Sequence, residues 1–136
     1  ASSQYTIAVG ATDNGDPNTS TPPARASFSN YGSDLDVVAP GVSVIGAGIP
    51  TINDAEPYLQ GDGTSFAAPY AAGVAALYIN QYYAKNAGLP TPSQVTTCLR
   101  SAAQDLDPAG YDVYTGAGLV RADRVLDTVT NAYGCY

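Results

Sequence analysis

The stretch from Phe66 to Ile79 constrains the fold more than any other part of the chain. Alanines at 67, 68, 71, 72, 75 and 76 lie among Val74, Leu77 and Ile79, so a helix here, expected from about Thr64 to Tyr83, is apolar on every side. A helix with no polar face belongs in the middle of a larger protein. Pro69, Tyr70, Gly73 and the polar Asn80 interrupt the run, and no apolar stretch is long enough to cross a bilayer. The chain has 136 residues, the length of one ordinary domain, yet little of it is left over to surround such a helix. The expectation is a piece that packs against something else.

Short apolar runs precede the helix. Tyr5–Gly10, Leu35–Ala39 and Val42–Ala47, the last two separated by Pro40-Gly41, read as strands. Asp13–Ala24 is built of Asp, Asn, Gly, Pro, Ser and Thr, which is loop chemistry. A weaker pattern from Ile49 to Gln60 reads as a hairpin leading into Gly61-Asp62-Gly63. Beyond the central helix, Thr91 as cap, Pro92 at the first helical position and Gln94 three residues after the cap announce a second helix. It would bury Val95, Leu99 and Ala102 or Ala103. A third is expected from about Arg121 to Ala132, with Val125 and Val129 one turn apart. Strands, a buried central helix and outer helices make an α/β layered fold, and no linker divides residues 1–136.

Composition excludes several functions. A net charge of −7 speaks against nucleic acid, whose phosphates need a Lys/Arg footprint. With 45% apolar and 12% charged residues, charge-driven disorder is excluded as well. No secretory leader is recognisable, which says little, because a mature or processed chain would have lost one. The chain also contains no histidine, so a mechanism that needs an imidazole is incomplete within it.

Chemistry concentrates where the Gly-rich turn meets the central helix, at Gly63-Thr64-Ser65-Phe66-Ala67-Ala68-Pro69. A serine there has its backbone N–H among the unpaired donors of a helix N-terminus, where a developing oxyanion is stabilised. Gly61, Gly63 and Ala67 leave room for a substrate backbone. Pro69 is expected in the first turn, where an N–H would lack a partner. An isolated Gly-Thr-Ser is more often a simple cap; the surroundings change that reading.

Gly63-Thr-Ser-x-Ala-x-Pro-x-x-Ala-Gly73-x-x-Ala-Leu77 resembles the nucleophile segment of the subtilisin-like serine proteases. Ile7-Ala-Val-Gly-Ala11, Ala26-Ser-Phe-Ser-Asn-Tyr-Gly32 and Leu35-Asp-Val-Val-Ala-Pro-Gly41 resemble the same family in the same order, as does Gly116-Ala-Gly-Leu-Val120 downstream. The resemblance runs from about Tyr5 to Val129. It implies a Ser-His-Asp hydrolase of the subtilisin and proteinase K type, of which residues 1–136 are the C-terminal portion of the peptidase domain. Ser65 matches the nucleophile and one oxyanion donor, and Thr64 a supporting hydroxyl. The family's Asp, His and oxyanion Asn lie upstream of its Ile-Ala-Val-Gly strand and have no counterpart in these residues. An N-terminal segment or chain of the same protease is therefore the implied partner, with a peptide or protein as substrate.

The resemblance implies no cofactor for catalysis. It places Asp36 at a position that binds structural calcium in proteinase K-like members, helped by carbonyls near Gln4 and Thr6 and by the charge of Asp34; one carboxylate is a thin donor set for a hard cation, and a solvated or N–H-bonded Asp36 is the alternative. Tyr70 stands where the family usually has a non-catalytic histidine and reads as a packing substitution. Cys98 and Cys135 suggest one bridge in a secreted protein, two separate thiols being the alternative. Asn18-Thr-Ser is an N-glycosylation triplet in the long loop.

The reading that follows is a secreted, extracellular endopeptidase, inactive as this chain alone. Its rival is a non-catalytic subtilase-like binding or assembly module. A sedolisin-type acid protease also carries Gly-Thr-Ser near a helix, but the Ser-Phe-Ser-Asn-Tyr-Gly and Ala-Pro-Gly segments fit subtilisins better.

Overall fold

The computed structural model describes residues 5–15, 21–48, 58–106, 108–127 and 129–136. Four strands, β1 (Val9–Thr12), β2 (Val37–Pro40), β3 (Val44–Ala47) and β4 (Tyr58–Gly61), precede three helices, α1 (Thr64–Asn86), α2 (Pro92–Ser101) and α3 (Ala122–Val125). β1 and β2 pair in parallel with Val9 opposite Val37 and Thr12 opposite Pro40. Chain from the C-terminal side joins the free edge of β2: the Val38 N–H donates to the Gly118 carbonyl at 2.9 Å, and the Val120 N–H donates to the Val38 carbonyl at 3.0 Å. β3 and β4 form a separate antiparallel pair.

β2 is covered on both faces, as a strand of a parallel sheet must be. Side chains alternate along a strand, so Val37 and Ala39 enter the main core while Val38 joins Leu35 and Leu106 in a second cluster on the far side. α1 lays Ala67, Ala71, Val74 and Tyr78, all buried, against the first face. The positions i, i+4, i+7 and i+11 fall on one stripe, and the two alanines let helix and sheet approach closely. The rest of the helix is covered less than the sequence led us to expect. Ala68, Ala72, Gly73 and Ala76 are exposed, with Tyr70, Leu77 and Tyr83 at 47%, 44% and 56%. Among the described residues no helix is long and apolar enough to cross a membrane.

Other boundaries shift for identifiable reasons. The first strand begins at Val9 rather than Tyr5, where its parallel ladder with β2 begins. Pro69 is the sixth residue of α1, not a first-turn residue, so its missing N–H removes the bond that the Ser65 carbonyl would otherwise accept. α2 starts as expected: the Gln94 amide donates to Thr91 Oγ1 at 3.3 Å, and the Thr91 amide donates to Gln94 Oε1 at 2.8 Å. α3 is a single turn instead of three. Val129, expected to face the core, is 93% exposed, and the Asp127 carboxylate accepts the Val129 and Thr130 amides at 3.2 and 3.1 Å, a local turn that competes with further helix.

Beyond that turn the chain returns to α2. Cys135 is bridged to Cys98 across 37 residues, and both are buried in the main core. The Tyr136 ring sits 5.8 Å from that of Tyr78, and its hydroxyl donates to the Val125 carbonyl at 3.0 Å. Of the two readings left open for the cysteines, the bridge is the one present.

Candidate active site

Ser65 is the second residue of α1 and is exposed. Gly63, the residue before the helix, takes φ 152°, a conformation that side chains disfavour. Its carbonyl accepts the Phe66 and Ala67 amides at 3.0 and 3.3 Å. The Thr64 and Ser65 amides are thus the first-turn donors left without an intrahelical acceptor, and they stand at the positive end of the helix dipole. This is chemistry suited to an oxyanion formed beside Ser65 Oγ. Thr64, expected as a supporting group, is half-buried directly beside it.

Two close approaches hold this turn. Gly41, just past β2, accepts the Gly63 amide at 2.7 Å, while its own amide donates to the Thr12 carbonyl at 2.9 Å. A β-carbon on Gly41 would stand 2.6 Å from Ala11 Cβ and 2.8 Å from the Gly63 oxygen. At the end of β4, a β-carbon on Gly61 would lie 2.4 Å from Phe66 Cζ, so the Phe66 ring lies directly against Gly61. In the sequence Pro40-Gly41 read as punctuation between strands and as the end of a family motif, with no structural role assigned. Its contact with Gly63 joins residues 22 positions apart, a distance no local pattern reports.

Asp36 meets surroundings that do not fit the calcium expected there. Its Oδ2 accepts the Ala8 amide at 2.8 Å, and its Oδ1 faces the Arg100 guanidinium at 3.7 Å. Arg100 also lies 5.2 Å over the Tyr111 ring, and the Tyr111 hydroxyl donates to the Ser33 and Leu35 carbonyls. A divalent cation at Oδ1 would have to share the carboxylate with the Arg100 guanidinium. Asp34 is exposed and lines the same cleft as Asp36 and Thr6. Among the described residues no group of three histidine, cysteine or acidic side chains could hold a metal ion; the carbonyl expected near Gln4 lies outside them. One oxygen of Asp36 is thus N–H-bonded and the other faces Arg100. Gln4 and Asn18 lie outside the described residues.

The sequence profile of the subtilase family, Peptidase S8, matches residues 1–118. The chain belongs to the subtilase family. This subtilase chain is 38% identical over 117 residues to subtilisin DY of Bacillus licheniformis, covering 86% of itself and 35% of that protein. It is 40% identical over 111 residues to an extracellular protease of Xanthomonas campestris pv. campestris, covering 79% of itself and 18% of that protein. In three dimensions it superposes on fervidolysin of Fervidobacterium pennivorans, described as a keratinolytic enzyme related to subtilisin, with a TM-score of 0.75 at 28% identity, covering 90% of this chain and 19% of that one. The subtilase chain thus spans about a third or less of the length of these relatives.

Proposed function

We propose that this subtilase chain is the nucleophile-bearing, C-terminal portion of a secreted serine endopeptidase. One observation carries the reading: an exposed serine at the N-terminus of α1, on a glycine turn pinned to the sheet, in a chain with no histidine at all. Ser65 Oγ attacks the scissile carbonyl of a peptide. Its proton passes to an imidazole held by a segment outside these residues, and the oxyanion is received by the Ser65 N–H together with a donor from that segment. Collapse of the tetrahedral intermediate expels the amine and leaves an acyl-Ser65 ester, which water hydrolyses by the same steps in reverse roles. The exposed stripe of α1, apolar and uncovered, supports a partner segment of the same protease. The buried Cys98–Cys135 bridge and the extracellular name of the Xanthomonas relative support an oxidising, extracellular setting.

The test uses the full-length protease and its Ser65→Ala variant with a chromogenic peptide and a serine-directed fluorophosphonate label. Hydrolysis and labelling are expected in the first and lost in the second. Hydrolysis that survives Ser65→Ala would sink the reading, and a full-length protein that neither hydrolyses nor labels would point to a non-catalytic binding module.

A further inference from the structure

The turn that presents Ser65 is gripped twice by the residues that follow β2. The first grip is the Gly63–Gly41 backbone bond. The second is a side chain: Asp62 Oδ1 accepts the Ser43 amide hydrogen at 2.6 Å. The β3–β4 ladder ends with Val44 opposite Gly61, so Ser43 and Asp62 are the next opposed pair, just past the last rung. Here β4 must leave its partner strand and turn into α1 within two residues. Ser43 has φ +56°, a left-handed conformation that is uncommon and costly for a residue with a side chain. That conformation is maintained where the Ser43 N–H meets the carboxylate.

The helix itself supplies nothing equivalent. Its N-cap is Gly63, which has no side chain to receive a first-turn amide, and no acidic residue lies in the first turn. Asp62 is therefore the side chain that ties the entry of α1 to the strand beside it, three residues ahead of Ser65. From this geometry we infer that Asp62 is a positioning residue for the nucleophile, acting through Ser43 to fix the Gly63–Ser65 turn. It touches neither substrate nor reacting atoms. Positioning of this kind matters because a nucleophile displaced by about 1 Å can lose on the order of 100-fold in rate.

The inference rests on Ser65 being the nucleophile, and the experiment separates the two claims. Asp62→Ala, Asp62→Asn and Asp62→Glu are made in the full-length protease. Active sites are counted by exhaustive fluorophosphonate labelling, and kcat, KM and the labelling rate are expressed per active site. Asparagine keeps an acceptor oxygen at the same reach without the charge; glutamate keeps the charge and misplaces the oxygen. A positioning role predicts a fall in kcat and labelling rate of about tenfold or more for Asp62→Ala and Asp62→Glu, with KM little changed and most of the rate recovered in Asp62→Asn. Should Asp62→Ala fail to fold, the Asn–Glu pair decides alone. Wild-type rates per active site in Asp62→Ala, or Glu outperforming Asn, would overturn the inference while leaving Ser65 in its role. A parent enzyme that shows no Ser65-dependent labelling would sink the functional reading first.

Discussion

The Gly41 carbonyl accepts the Gly63 amide hydrogen at 2.7 Å, which ties the turn ahead of Ser65 to the end of β2. Gly41→Ala is the direct probe of that contact. The new methyl would meet Ala11 Cβ at 2.6 Å and the Gly63 oxygen at 2.8 Å, both on backbone or rigid atoms that cannot swing aside. Overpacking of this sort costs about 1–3 kcal/mol. Activity should fall beyond what the lost stability explains, because the displaced atom belongs to the turn that presents Ser65, the proposed nucleophile. A denaturation midpoint and kcat both at the parent values would disprove the contact.

The Cys98–Cys135 bridge closes a long loop and joins the tail to α2. Its main effect should be on the unfolded chain, at about 2–4 kcal/mol for a loop of this kind. Replacing both cysteines by alanine in the full-length protein should lower the midpoint of chemical denaturation accordingly. Folded, unreduced protein should take up no maleimide at either position. Rapid labelling of two thiols would show the bridge absent in solution.

The elements best read from the sequence are those with local chemistry. Thr91, Pro92 and Gln94 specify the start of α2 within four residues, and the glycine turn before Ser65 is equally local. Longer-range facts were hidden. Val125 and Val129 share helical spacing, but Asp127 between them captures the following amides and stops α3. Asp36 carries no mark of Arg100, which reaches it from α2, 64 positions away. Gly41 and Asp62 contact each other's turns only because β3 and β4 bring them together. The apolar α1 was legible as a helix, but the pattern did not tell which of its sides the described residues leave open.

Asp36 offers a check by metal removal. With its oxygens on the Ala8 amide and beside Arg100, it should contribute no calcium dependence. Excess chelator should therefore shift the thermal midpoints of the full-length protein and of its Asp36→Asn variant by the same amount. An ion bound only to the native state would stabilise it by mass action, so a chelator response present in the parent and missing in Asp36→Asn would restore the calcium site.

Asp112 gives the loop before Gly116 a pH dependence. Burial pulls its pKa upward, but hydrogen bonds from the Thr115 hydroxyl and from the Tyr114 and Thr115 amides outweigh that and hold it below the ordinary carboxylate value. A carboxyl depressed in the folded state lends stability that is fully present above its unfolded pKa, about 3.9, and is lost as pH falls through the folded value. Asp112→Asn should accordingly lower stability at neutral pH, with the gap to the parent closing below about pH 4. Urea midpoints that differ by a constant amount from pH 7 to pH 3 would contradict this.

α1 leaves Tyr70, Leu77 and Tyr83 between 44% and 56% exposed, beside the exposed Ala68, Ala72 and Ala76, and Tyr83 with Ile79 and Leu89 lines an apolar groove on the same helix. Contiguous apolar surface of this sort marks an interaction site or an aggregation hazard. Residues 1–136 produced alone should bind an apolar dye and self-associate, and adding the proposed upstream segment should suppress both. The same isolated chain contains no histidine to act as the base proposed for Ser65, and removing the catalytic histidine costs on the order of 10⁶-fold in subtilisin itself. Peptide hydrolysis by the chain alone should therefore be indistinguishable from background, and should return with the upstream segment. A monomeric, dye-silent chain would refute the exposed interface, and full hydrolysis by that chain would refute the divided active site.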